Sequence, residues 1–396
     1  MELIDRVMHY LHERRQNILD GNVNCIPSPL STFRTEFIGI EQETYYIITG
    51  MQKAAKTKFT SYMFLYTPIL YAYRNPEKVR VKIFYVPLEE TKEKITMRFM
   101  VYLLFMMTNH QVRISQKELE STYEGQPVDE EILKMLETNP QCVQILEFFE
   151  KHVVFLESQN PTGIYKELVT YAAQNGKRIM RKITVKNQQT GEDEKIEKFD
   201  HYEPNDPNEY VEIIVDHISL ITTESGMDLR ASIKKLSGYL NEIRNKYKYI
   251  PVVIQQQSTE TQNLDAYKNN KIRPTPAGLA DCKDTAKDCN VMLGLTNPFA
   301  FEIPKYLGYD ITRLRDCQRF LEVVLNRDGE GNGVKALYFD GAVSYFDELP
   351  APGSEGYEDF MSKVYRLINR LKAKAQEAVS LFLFGIITKK DKDIRR

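Results

Sequence analysis

Apolar residues at Leu3, Ile4, Val7, Met8, Leu11, Ile18 and Leu19 recur at helical spacing, with Arg14 and Arg15 on a basic flank. They predict an amphipathic helix over Leu3 to Leu19. Its stripe must pack either on its own domain or on a neighbouring subunit. Gly21-Asn22 ends it, and Pro27 and Pro29 mark an extended connector. The aromatic and β-branched run Tyr45 to Thr49 then reads as a buried strand that stops at Gly50. A helix from about Lys58 to Tyr73 is broken by Asn75-Pro76, and Val79 to Val86 reads as a second strand. Strand, helix and strand in succession make a βαβ unit, which implies a parallel sheet with a right-handed crossover.

The pattern turns helical from Ile95 to Gly176. Ile95 to Met107 is densely apolar, Ser115 and Glu118 have capping-box spacing, Asp129 caps the next helix, and Asn139-Pro140 opens another. Thr162 is the expected cap of a helix beginning at Gly163, and Val153 to Leu156 is short and β-branched enough to be a strand. Residues 177 to 208 differ in character: mixed charge surrounds Thr190-Gly191, and Ile183 to Lys186 pairs with Ile196 to Phe199 as an exposed hairpin. A solvated insertion is the simpler reading of this segment; its basic stem could instead touch phosphates.

Beyond it come strand Tyr210 to Val215, helix Leu229 to Tyr247, and strands Tyr249 to Ile254, Asn290 to Leu295 and Phe320 to Leu325. Lys335 to Phe339 and Val343 to Phe346 form an edge hairpin around Asp340-Gly341. After Pro350-Ala-Pro-Gly-Ser a helix runs from about Tyr357 to Ala378. The chain ends on apolar Leu381 to Ile387 and a basic tail, Lys389 to Arg396.

Composition narrows the function classes. The 396 residues are 42% hydrophobic and 27% charged, ordinary for a chain able to bury a full core in one large α/β domain or two. A net charge of -2 leaves no global polyanion footprint, so nucleic-acid contacts must be local. Five cysteines without a C-x-x-C pair fit a reducing, cytoplasmic compartment. Six histidines without H-E-x-x-H or a Cys/His cluster argue against a dedicated zinc site. No signal peptide and no membrane-spanning apolar run is expected.

The chemistry lies where the first strand meets its helix. Gly50-x-x-x-x-Ala55-Lys56-Thr57 is one substitution from the phosphate-binding loop G-x-x-x-x-G-K-[ST]. Such a loop wraps a polyphosphate in backbone N–H groups at a helix N-terminus; a lysine-rich turn without a ligand is the bland alternative. Gly50, Lys53, Ala54, Ala55, Lys56, Thr57 and Lys58 are the candidate ATP contacts. Lys56 would reach the β- and γ-phosphates and Thr57 would hold Mg²⁺. Ala55 stands where glycine normally allows positive φ. Ligands of parallel sheets sit at the carboxyl ends of strands, where Glu89 could activate a water. Glu90 competes for that role, and both could be solvated first-turn acids. Asp216 ends the strand Tyr210 to Val215 and is the candidate second Mg²⁺ residue. Gln255, Gln256 and Gln257 follow another strand and could sense a γ-phosphate or simply lead a loop.

In this order the segments resemble the motor domain of DnaB-type replicative helicases, from about residue 3 to 347. Cys25-Ile-Pro-Ser-Pro is similar to the family's G-I-P-T-G, Leu88-Glu89-Glu90 to S-L-E-M, Val215-Asp216-His217 to I-D-Y, and Pro251 to Gln257 to V-P-V-I-x-x-S-Q. Pro274 to Val291 keeps Leu279, Asp288 and Val291 of a longer family segment, and Leu325-Asn326-Arg327-Asp328-Gly329 is similar to K-x-R-N-G. The resemblance implies an α/β, RecA-like P-loop NTPase core with a mostly parallel twisted sheet flanked by helices. It implies a linker helix over 1–26, a motor domain over 27–349 with an insertion at about 177–208, and a helical, basic extension over 350–396. Glu89 becomes the catalytic base, Gln257 the sensor, and Arg327 the arginine finger donated to a neighbour's ATP. The linker helix would dock on that neighbour.

The expected assembly is a homo-oligomeric ring, a hexamer, hydrolysing ATP with Mg²⁺ and moving on single-stranded DNA, with primase or a loader as partner and the host cytoplasm as location if phage-encoded. Loops near Thr222 to Arg230 and Asn263 to Arg273 would face the DNA, with Arg230, Lys271 and Arg273 as contacts. The departures are Ala55 for glycine, Leu325 for the lysine beside the finger, a longer segment before Asp216, and no length for the family's N-terminal primase-contacting domain. A RecA-like regulatory or assembly protein that binds nucleotide without unwinding is the competing function.

Overall fold

The computed structural model describes residues 3–186, 193–258, 272–329, 331 and 333–365. Helix Leu3–Leu19 (α1) leads into a short antiparallel pair, Ile26–Pro27 (β1) with Gly39–Ile40 (β2). The buried run before the phosphate loop is Tyr46–Gly50 (β3). After the loop comes Lys56–Ser61 (α2), a π-helical turn Tyr62–Tyr66, and Thr67–Arg74 (α3), so this helical stretch starts two residues earlier than its apolar pattern suggests.

Arg80–Pro87 (β4) is the second strand, followed by Lys92–Met107 (α4), Gln116–Leu119 (α5), Glu130–Thr138 (α6), Pro140–His152 (α7), Val153–Phe155 (β5) and Pro161–Gln174 (α8). Ser115 forms the full capping box with Glu118, and Asp129 and Asn139 cap as their sequences indicate. The cap of α8 differs from expectation. Asn160, not Thr162, accepts from the Gly163 N–H, and Pro161 takes the first helical position, where its fixed φ and missing donor cost nothing.

Gly176–Lys186 (β6) and Asp193–Pro204 (β7) form the exposed hairpin, in a register that sets Ile183 opposite Ile196. Then follow Glu209–Asp216 (β8), Leu229–Tyr247 (α9), Ile250–Gln256 (β9) and Val291–Thr296 (β10). A two-stranded pair, Lys305–Tyr306 (β11) with Tyr309–Asp310 (β12), precedes Gln318–Asn326 (β13), Val334–Asp340 (β14) and Tyr345–Glu348 (β15). The last strand begins at Tyr345 rather than Val343, because the Val343 side chain is buried against Val101 and Phe105 as part of the turn. The helix expected from Tyr357 is seen over residues 355–365, and the apolar run Leu381 to Ile387 lies outside the described residues.

Nine strands make the central sheet, in the order β15-β14-β13-β10-β3-β9-β8-β4-β5. From β10 to β5 every neighbouring pair is parallel; β13, β14 and β15 add an antiparallel edge. The strands β3, β8, β9 and β10 are buried almost throughout, which is why they read as continuous apolar runs rather than alternating ones. One core packs α2, α3, α4 and α7 on one face, and a second packs α8 and α9 on the other. A third joins Tyr338 on β14 to Tyr357, Met361 and Val364 of the last described helix.

Helix α1 packs into neither core. None of its residues is buried, and Leu3, Ile4, Leu11 and Leu19 are 65%, 69%, 51% and 61% exposed. It is tethered by polar contacts instead: Arg6 donates to Asp200 at 2.5 Å and contacts His201 Nδ1 at 2.9 Å on β7, and Arg14 lies 3.6 Å from Glu41. Among the described residues no helix is long and apolar enough to cross a membrane.

Candidate active site

The parallel register brings four strand ends to one line. Gly50 of β3 pairs with Gln256 of β9, and Pro87 of β4 pairs with Asp216 of β8. A cleft of about 540 Å³ opens over these ends, lined by Lys53, Ala55, Lys56, Thr57 and Lys58 from the loop and by Glu89 across from them.

The loop has the backbone its motif requires. Ala55 sits at φ 71°, ψ 33°, the left-handed region that glycine usually occupies, at a cost of about 1 kcal/mol for the Cβ. Gly50 is needed for a different reason: a Cβ there would lie 2.5 Å from the Leu295 carbonyl oxygen on the neighbouring strand. Arg319 holds the loop from below. Only 2% exposed, its Nε donates to the Ala54 carbonyl at 3.2 Å and Nη2 to that of Lys53 at 3.3 Å, while Asn297 donates to Lys53 at 3.1 Å.

Lys56 is buried and its Nζ donates to the Met51 carbonyl at 2.9 Å, folded back over the loop. Burial pulls its ammonium down to about 8, with Asp216 and Glu89 acting in the opposite direction. Thr57 Oγ1 donates to Asp216 Oδ1 at 3.0 Å, and the Tyr85 hydroxyl donates to Oδ2 at 2.8 Å. Burial still pushes the Asp216 carboxyl up to about 6, because two neutral hydroxyls do not replace the water or cation a carboxylate needs. Among the described residues no group of three or more His, Cys, Asp or Glu could hold a metal alone. The donor set, one hydroxyl against one cation-poor carboxylate beside a phosphate loop, fits Mg²⁺, which takes few protein ligands and fills its shell with water and phosphate oxygens.

The two acids after β4 separate cleanly. Glu90 is ion-paired with Arg98 of α4, whereas Glu89 makes no hydrogen bond or ion pair among the described residues and lies near Lys56, Asp216 and His217. The glutamines differ in where their side chains lie. Gln257 does not line the cleft: its Nε2 donates to Thr49 Oγ1 at 2.9 Å and to the Thr275 carbonyl at 3.1 Å, and its Oε1 accepts from the Thr275 N–H. Gln256 is the amide at the cleft. Side chains alternate faces along a strand, so a slip of one residue in alignment exchanges the two.

The remaining candidates lie apart. Asn326 pairs with Val291, which pairs with Tyr46, so Arg327 stands at the opposite end of the central strands from Gly50. Four strand steps separate the two levels, roughly 13 Å. Arg327 is exposed, and its Nη2 donates to the Lys287 carbonyl at 2.6 Å. Arg273 has its planar fork on Glu322, at 2.8 and 2.6 Å, and Arg230 lies 3.6 Å from Asp284 near the start of α9. Lys271 lies outside the described residues.

Two cleft or loop residues carried no motif: Arg98 and Arg319. Arg98 had the clearer signal, a lone cation within the apolar stretch of α4.

Neither a family model nor a curated protein matches the sequence. Solved structures do match. A DnaB-like replicative helicase, described with its interactions with primase, aligns at a TM-score of 0.58 and 14% identity over 88% of this chain and 68% of that one. A second match, a structure of an ATPase domain alone, aligns at a TM-score of 0.56 and 13% identity over 88% of this chain and 100% of that domain. With the strand order already in place, these likenesses show the fold: the chain has a RecA-like architecture, a mostly parallel sheet flanked by helices, similar to that of the DnaB-like replicative helicase.

Proposed function

We propose that the protein is an ATP-hydrolysing motor of the DnaB type that assembles into a ring, a hexamer, and moves on single-stranded DNA during replication. The observation that carries this reading is the meeting of Lys56, Thr57, Asp216 and Glu89 at adjacent strand ends over one cleft. In this scheme the loop amides and Lys56 grip the β- and γ-phosphates, exchanging the Met51 carbonyl for phosphate oxygens. Thr57 and Asp216 would hold Mg²⁺, which would supply charge to offset that of the phosphates. Glu89, without another partner among the described residues, orients a water and accepts its proton, and Gln256 supplies the amide that senses the γ-phosphate.

Arg327 serves a neighbour's cleft, because it stands at the wrong end of the sheet for its own. The exposed apolar stripe of α1 docks on an adjacent subunit, for which its lack of packing at home is the support. Arg230 and Lys271 remain the proposed DNA contacts; Arg273 would first have to leave Glu322. Primase or a loader is the further partner.

The deciding experiment measures ATP turnover with and without single-stranded DNA, alongside ring mass by light scattering. Turnover that rises several-fold on DNA in a ring supports the motor. Nucleotide binding by a monomer that ignores DNA would instead identify a RecA-like regulatory or assembly protein.

A further inference from the structure

Arg98 enters the phosphate cleft from α4, and its side chain is only 10% exposed. Its Nη2 is ion-paired with Glu90, while Nε has no hydrogen-bond partner among the described residues. The buried Tyr66 hydroxyl beside it is also without one. A guanidinium carries five donors in a rigid fork, and burying it behind one carboxylate leaves most of that capacity unused. Glu90 also lines the cleft, so it places a second negative charge beside Glu89 in a space built for an anion. Alone, that charge repels a polyphosphate. Paired with Arg98, it does something more selective.

We propose that Glu90 is a stand-in for the terminal phosphate, holding Arg98 in the empty cleft until a nucleoside triphosphate displaces it. The γ-phosphate then takes the Arg98 fork, which suits two phosphate oxygens at once. Glu90 has a way out, being 33% exposed at its side chain and already within the field of Lys58, a further cation of the loop. A diphosphate leaves the pair closed, since it brings no γ-phosphate to compete for Arg98. Glu90 is thus a specificity-determining residue: it sets the difference between triphosphate and diphosphate affinity. This inference rests on the nucleotide reading of the cleft.

The test is calorimetric titration of the full chain, with Mg²⁺, using ADP and the slowly hydrolysed analogue ATPγS. Glu90→Gln removes the competing charge and keeps the shape. It is expected to tighten ATPγS about tenfold while ADP changes less than about twofold. In an Arg98→Gln background the same change is expected to have no effect on either ligand. Equal tightening of both nucleotides would mean simple repulsion and would overturn the proposal. No tightening, with a lowered melting temperature of the ligand-free protein, would make the pair structural and overturn it equally. Lys56→Ala is the control for the underlying reading. If wild type binds neither nucleotide, that reading fails; if wild type binds, Lys56→Ala does not, and Glu90→Gln is flat, only the inference fails.

Discussion

The two ends of the central sheet are built on opposite plans. At the carboxyl end, polar groups are buried and face one another: Lys56 on the Met51 carbonyl, Thr57 and Tyr85 on Asp216, Arg98 on Glu90. At the amino end, Arg327 is exposed, with one backbone carbonyl as the partner of its guanidinium among the described residues. Helix α1 likewise offers an apolar stripe that stays exposed among the described residues. On the proposed reading the first end gathers the phosphate, metal and base residues within one chain and lacks a ligand and a neighbour's arginine. The second is the end that an adjacent subunit would cover, because exposed apolar stripes of this kind mark interaction sites. In the proposed motor, chemistry and assembly are separated by the length of the strands, and substitutions should sort accordingly.

The largest effect is expected at the complete end. Lys56→Ala should abolish ATP turnover while the circular dichroism spectrum and melting temperature stay close to wild type, since the side chain serves the ligand rather than the core. Unchanged hydrolysis would remove the nucleotide from this cleft.

At the other end, Arg327→Ala should lower turnover by roughly three to five orders of magnitude with nucleotide binding intact, the range seen for arginine fingers. A surface arginine would be worth almost nothing. Mixing Arg327→Ala with Glu89→Gln protein should restore part of the activity, because some mixed interfaces combine an intact base with an intact finger. Mixed rings that form without rescue would place both functions in one chain and erase the contrast.

Between the two ends lies a residue that belongs to neither plan. Glu212, mid-strand on β8, is fully buried, and neither carboxylate oxygen has a hydrogen-bond partner among the described residues. Burial holds its pKa well above the usual carboxylate range. The folded state then keeps a proton that the unfolded chain releases above about pH 4.5, so stability is greatest below that pH and falls as pH rises toward the folded-state pKa. Glu212→Met should stabilise the protein by about 1–3 kcal/mol at about pH 8 and by much less at about pH 4. Thermal melting at the two pH values checks it; equal gains at both would mean that the carboxyl does not titrate differently on folding.

The smallest effect concerns the left-handed Ala55. Ala55→Gly should be tolerated and should change ATP affinity by less than about fivefold, because the left-handed backbone and its strain of about 1 kcal/mol are already present without a nucleotide. A marked loss of binding would show that the loop depends on the alanine methyl.

Much of the fold was legible because strand burial and helix periodicity are local. Tyr46–Gly50, Leu229–Tyr247 and the Leu3–Leu19 stripe could be read from residue type alone, as could the caps at Ser115, Asp129 and Asn139. The candidate phosphate loop was legible for the same reason: its motif lies within eight consecutive residues, Gly50 to Thr57.

The rest depended on which strands lie side by side. Thr57 and Asp216 are 159 positions apart, and nothing local says that β4 and β8 end level with each other. The choice between Glu89 and Glu90 was open until Arg98, a turn and more into α4, claimed Glu90. The choice between Gln256 and Gln257 was open until the pleat assigned each a face. Arg319 carried no motif at all, since it reaches the loop carbonyls across 265 positions. The sequence by itself determined the elements and the loop motif between β3 and α2, because periodicity and spacing are properties of neighbouring residues. Only the tertiary structure decided which acid is ion-paired, which of the strand-end glutamines lines the cleft and which arginine enters it, because those are set by strand register and by charge partners far away along the chain.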